Sequence, residues 1–234
     1  MQWILLSGMI LLLTACSQKF NDVNDTLNLA FWGERDTTLN QSDIDLLPYA
    51  SIYARVNNGA QAFIVLAFAE RPFHTPPAQH NTTLNALPLI ELKWLSADRA
   101  MLVTAEGRIV KTHNLPAGNI VATNGALPDP LSLGLHLPST PKTWQRTLDW
   151  QPGYHFGYTL QSQFKELGHE RITLNEKPTE AIHYIEEVTV ESLAFSFQND
   201  FWLHPVTGKV LKSRQMLAPG LPYVEITLLK PFSS

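Results

Sequence analysis

The stretch Tyr154–Phe164, YHFGYTLQSQF, decides the fold. Tyr154, Phe156, Tyr158 and Leu160 share one parity, and His155, Thr159, Gln161 and Gln163 share the other. Successive side chains of a strand point to opposite faces of its sheet, so a period of two reads as a strand with one core face and one wet face. On this reading Tyr154, Phe156 and Tyr158 line a core, with Trp150 on the same parity.

The same signal recurs on both sides. Upstream, Ser51 to Val56 and Gln61 to Phe68 are joined through Asn58 and Gly59, a pair that tolerates the positive φ of a hairpin turn. Leu89 to Ser96, Ala100 to Thr104 and Arg108 to Thr112 continue as a meander turning at Asp98 and Gly107. Downstream, Asp200 to Leu203 and Lys209 to Met216 turn at Thr207 and Gly208, and Tyr223 to Lys230 forms a last strand. Val188 and Val190 are apolar on even positions but Leu193, Phe195 and Phe197 on odd ones, which predicts a bulge or bend near Glu191. Leu115 to Pro141, rich in Pro, Gly and Asn, reads as a long irregular connection. The one helical signal is a short capped turn at Ser42 with Asp45, stopped at Pro48. The expected fold is all-β: an antiparallel meander of about a dozen short strands with little helix. A half-barrel and a two-sheet sandwich are both open as ways to close it.

The chain has 234 residues, 44% hydrophobic and 16% charged, a composition of a folded protein. Its net charge of −4 sits in the leader, where Lys19 and Arg35 face Asp22, Asp25, Glu34, Asp36, Asp43 and Asp45, leaving a neutral body. A neutral body lacks the basic footprint that nucleic-acid phosphates require, so no nucleic-acid partner is expected.

Ile4 to Leu13 is an apolar run too short to span a bilayer and reads as the core of a signal peptide, residues 1–15. Leu13, Thr14, Ala15 and Cys16 resemble a lipobox, making Cys16, the sole cysteine, the expected lipidation site. Residues 16–27 then form a polar tether, and residues 28–234 one β domain without disulfides. Ser17 after the cysteine, by resemblance to enterobacterial lipoproteins, favours the periplasmic side of the outer membrane.

No P-loop, G-x-S-x-G, G-x-G-x-x-G or H-E-x-x-H motif occurs, so no catalytic residue, cofactor or metal is assigned. His74 and His80 are the closest histidine pair, without nearby carboxylate or cysteine partners. Glu186 and Glu187 are adjacent on a strand, point to opposite faces, and read as solvated positions rather than as a glycosidase pair. Aromatic rings stack on sugars, which makes Trp144 and Trp150 candidate glycan contacts, with core packing as the competing reading. Lys212 and Arg214 share a strand face and are candidates for holding an acidic polymer, or are charged groups on a rim.

Five strings resemble the GfcB/YjbF family of bacterial lipoproteins, associated with group 4 capsule and exopolysaccharide production. They are LPYASIYAR (Leu47 to Arg55), SADRAMLVTAEGRIVKT (Ser96 to Thr112), DWQPGYHFGY (Asp149 to Tyr158), FWLHPVTGKVLKSRQ (Phe201 to Gln215) and PGLPYVEITLLKP (Pro219 to Pro231). The resemblance implies an all-β half-barrel, an outer-membrane lipid anchor and a role in polysaccharide secretion or assembly, and it supplies no catalytic residues. The expectation is an accessory, non-catalytic lipoprotein whose partners are the membrane, polysaccharide and other export proteins. The alternatives are a carrier holding an acyl chain or lipid-linked glycan in an apolar concave sheet, and a periplasmic glycan-modifying enzyme.

Overall fold

Twelve antiparallel strands hydrogen-bond into one continuous sheet in the order β5-β4-β3-β2-β1-β12-β11-β10-β9-β8-β7-β6. The computed structural model describes residues 35–72 and 89–233. The strands are β1 (Ser51–Val56), β2 (Gln61–Glu70), β3 (Glu91–Leu95), β4 (Met101–Ala105), β5 (Arg108–His113), β6 (Asn119–Gly125), β7 (Thr143–Gln151), β8 (His155–Leu174), β9 (Lys177–Val190), β10 (Phe195–Leu203), β11 (Val210–Met216) and β12 (Tyr223–Lys230). Every step in that order pairs strands consecutive in the chain except β1–β12, which joins the first and last strands from Ile52↔Leu228 to Val56↔Val224.

The two outermost strands, β5 and β6, curl back towards each other, so the sheet is nearly closed and barrel-like. Of the closures left open by the sequence, the curled sheet forms and the sandwich does not. Side chains stitch the β5–β6 seam. Ile120 N donates to Thr112 Oγ1 at 2.9 Å, Thr112 Oγ1 donates to Asn119 Oδ1 at 3.2 Å, and Thr123 Oγ1 donates to the Val110 carbonyl at 2.9 Å. These contacts satisfy groups that an open edge would leave unpaired.

Inward side chains fill the barrel. One apolar cluster includes Ile52, Ile64, Trp94, Leu102, Trp150, Leu160, Val188 and Val224, and a second comprises Leu131, Leu135, Trp144, Phe164, Ile182, Tyr184, Phe201 and Leu203. A short helix α1 (Gln41–Leu46) lies against β12 and buries Ile44. Its N-cap is Asn40 rather than Ser42, with no side-chain cap bond, so the expected capping arrangement is not formed.

Two local expectations are corrected and one alternative is resolved. Tyr154 and Phe156 are 93% and 62% exposed, not core, while Leu160 and Trp150 are buried. The cause is Gly157: at φ +67° it adds a residue between the His155↔Trp150 and Tyr158↔Leu148 pairs, and its N–H donates to Asp149 Oδ1 at 2.6 Å. This bulge breaks the alternation, so that His155 stacks on Trp150 at 4.5 Å and Phe156 turns outward. Of the bulge or sharp bend expected near Glu191, the bend forms, as the hairpin turn between β9 and β10. A 3-10 turn, Glu191–Leu193, and left-handed Ala194 return the chain so that Phe195 and Phe197 pair Val190 and Val188. Finally, Leu115 to Pro141 is not irregular throughout, because it contains β6, the strand that completes the seam.

Candidate functional site

The most unusual interior feature is a charged layer between the two apolar clusters. On β9, Ile182, Tyr184, Glu186, Val188 and Val190 share the inward parity, which puts Glu186 in the barrel with 0% exposure. This corrects the solvated reading of Glu186; Glu187 does face outward and is exposed, so the expected opposition of the two carboxylates holds. Arg146 is interleaved with Trp144 and Leu148 on β7, Ser162 with Leu160 and Phe164 on β8, and Asn199 with Phe197 and Phe201 on β10. Each strand therefore inserts one polar residue at the same level of an otherwise apolar face.

The carboxylate is saturated. Glu186 Oε1 accepts from Arg146 at 3.0 Å and from Ser162 Oγ at 2.6 Å, and Oε2 accepts from Arg108 at 2.9 Å and from Asn199 Nδ2 at 2.8 Å. Arg108 comes from the first residue of β5 and also pairs with Asp129, whose Oδ1 accepts from Leu131 N at 3.0 Å. The Arg108 guanidinium lies 4.7 Å from the Trp144 ring centroid and 5.3 Å from that of Phe201, a cation–π setting that replaces lost hydration. Two arginines and two carboxylates balance. Burial pushes the Glu186 carboxyl up, but the Arg108 and Arg146 charges and the bonds to Arg108 and Asn199 outweigh it and hold it at about 2. The carboxylate is therefore ionised at neutral pH with both oxygens occupied by fixed donors, an arrangement that holds the facing strands in register.

Trp144 donates Nε1 to the Leu127 carbonyl at 3.0 Å and is 8% exposed, and Trp150 is 2% exposed beneath His155 and Tyr158. Both rings belong to the core, and neither presents a face on which a sugar could stack. Lys212 and Arg214 do share the outer face of β11, half-buried. Lys212 Nζ lies 5.2 Å over Trp202 and Arg214 lies 3.7 Å over Tyr223, while Glu225 approaches Arg214 at 3.8 Å. Trp202 also stacks on His183, which bonds Asp200 at 3.0 Å. Sequence reasoning missed this outer cluster because its members come from β9 to β12 and meet only through strand register. Cys16 and the pair His74 and His80 lie outside the described residues.

A cavity of about 190 Å³ opens at the end of the barrel where β4 turns into β5 and β11 begins. Its walls are Ile52, Leu92, Trp94, Leu211, Ile226 and Leu228. At the opposite end, Phe156, Tyr158, Gln161, Glu191 and Ser192 line a shallow groove on the surface.

The fold defines the class: an all-β, barrel-like protein whose charge-compensated interior is largely filled by its own side chains. The chain belongs to the family described as group 4 capsule polysaccharide lipoprotein, gfcB and YjbF, whose profile matches residues 24–229. It is 33% identical to the lipoprotein GfcB of Escherichia coli (strain K12) over 232 residues, 99% of each chain. It is 31% identical to the lipoprotein YjbF of the same organism over 221 residues, 94% of this chain and 93% of that one. The crystal structure of the hypothetical lipoprotein YmcC from Escherichia coli (K12) superposes with a TM-score of 0.69 at 33% identity, covering 85% of this chain and 92% of that one.

Proposed function

We propose that this chain is a non-catalytic accessory lipoprotein that assists export or assembly of a surface polysaccharide from the periplasmic face of the outer membrane. One observation supports the non-catalytic part: the only fully buried carboxylate among the described residues, Glu186, has both oxygens bonded to fixed partners, so it is not free to serve as the acid or base of glycosidic chemistry. The capsule part rests on family membership, and the location rests on Cys16 followed by Ser17. Such a protein acts through its shape and its anchor, with the membrane, polymer and other export proteins as partners.

Deletion of the gene is expected to lower surface polymer. Wild-type chain and Glu187→Ala restore it, and Cys16→Ser does not. Cleavage or modification of isolated polymer by the purified lipoprotein, abolished by one carboxylate substitution that leaves the fold intact, would replace this reading with the enzymatic one.

A further inference from the structure

We propose that the 190 Å³ cavity is a binding site for one linear acyl chain carried on a zwitterionic ammonium–phosphate head. This goes beyond the polysaccharide role and stands or falls separately from it.

The wall selects hydrocarbon. Most of its side chains from β1, β3, β11 and β12 are apolar; Lys212 of β11 also borders the space but lays its ammonium over Trp202 at 5.2 Å, and the remaining polar atoms are already partnered. Trp94 Nε1 donates to Thr104 Oγ1 at 2.8 Å, and Ser213 Oγ accepts from Gln215 Nε2 at 2.9 Å. A sugar entering this space would leave its hydroxyls unpaired, whereas methylenes would lose only contact with water. Water itself is a poor occupant, because an ordered water needs two to four polar partners. Size narrows the choice further: 190 Å³ is below the roughly 300–1,000 Å³ of pockets that enclose a drug-sized ligand, so it holds a segment of one chain and not two chains side by side.

The rim selects the head. Lys209 and Glu106 both border the opening, and among the described residues neither side chain takes part in an ion pair. An ammonium–phosphate head complements both, the phosphate at Lys209 and the ammonium at Glu106. A simple fatty-acid carboxylate would meet one partner and be repelled by the other. Phe232, beyond the end of β12, also lines the opening and supplies apolar cover where the chain would enter.

The test uses the full-length lipoprotein in phospholipid nanodiscs and a lysophosphatidylethanolamine whose acyl chain carries a diazirine. After irradiation, labelled peptides are mapped by mass spectrometry. Labels are expected on Leu92, Leu211 and Leu228, reduced about tenfold by Leu211→Trp, which fills the space. Leu228→Trp, nearer the opening, serves as a second filling variant, and thermal unfolding identifies whichever of the two keeps the fold. Lys209→Glu should reduce labelling severalfold with this probe but leave labelling by a diazirine-bearing alkyl alcohol unchanged. Labels confined to the outer faces of the sheet, or cavity labels that a folded filling variant does not reduce, overturn the site. Undiminished labelling of Lys209→Glu by the zwitterionic probe overturns the head assignment. Surface polymer is not a readout here, so failure would leave the polysaccharide reading untouched.

Discussion

Arg108 and Glu186, 78 residues apart in the chain, meet inside the barrel at 2.9 Å. One begins β5 beside the seam and the other lies midway along β9, so their contact spans the interior. Removing one partner of such a pair leaves an uncompensated buried charge, which costs far more than the pair contributes in net stability.

Glu186→Gln is therefore expected to destabilise the fold by about 3–5 kcal/mol, because Arg108 and Arg146 would keep their charges without the carboxylate. Glu187→Gln, on the exposed face of the same strand, should change stability by no more than about 0.5 kcal/mol. Urea denaturation of the two variants checks this. Equal effects would show that Glu186 is not in the interior.

The same pair sets an acid limb. Glu186 is depressed from the ordinary 4.5 to about 2, so the unfolded state binds its proton first as pH falls. The sign follows from linkage: its contribution is complete above about pH 4.5 and is lost as pH falls towards about 2. Denaturation midpoints of the wild type should decline over that window, and Glu186→Gln should decline less steeply. Parallel curves for the two would overturn the assignment.

Much of this architecture was legible in the sequence, and the failures have a common cause. Alternation and turn residues predict β1 and β12 with their observed bounds, as well as the turns at Gly107 and Gly208. Glu186 shares the even parity of Val188 and Val190, but parity does not say that a charge on that face is inward. Its compensating partners, Arg108 and Arg146, come from strands that only the folded topology brings near. The misreading of Tyr154 and Phe156 has a local origin, since one glycine at positive φ inverts the parity of residues before it. Trp144 and Trp150 illustrate the remaining ambiguity: aromatic clustering signals stacking surface, and only burial distinguishes a sugar platform from a core.

Gly107 and Gly208 should tolerate no side chain. Gly107 has φ +87°, and an added Cβ would lie 2.5 Å from the Val210 Cβ; Gly208 has φ +68° and packs on the His136 ring. Alanine at either position should cost more than about 1 kcal/mol, since backbone strain and a clash add. Gly157 shares the positive φ but has open space around it, so alanine there should incur the strain alone. Chemical denaturation of all three ranks them, and a Gly157→Ala loss as large as that of Gly107→Ala would remove the steric argument.

The seam between β5 and β6 makes the last prediction. Thr112 Oγ1 accepts from Ile120 N and donates to Asn119 Oδ1, which in turn accepts from Leu115 N at 3.0 Å. These side chains take the place of ladder bonds, so the closure is held by a few groups instead of a continuous register. Thr112→Val keeps the shape but removes the hydroxyl, leaving the buried Ile120 amide unpaired at a cost of about 1–3 kcal/mol. Because the defect is at an edge, the effect should be local: amide hydrogen exchange should accelerate in β5 and β6 while β9 and β10 keep their protection. Thr112→Ser, which retains the hydroxyl, should restore slow exchange. Uniform acceleration across all strands in Thr112→Val would mean that the seam does not open independently and that the barrel unfolds as one unit.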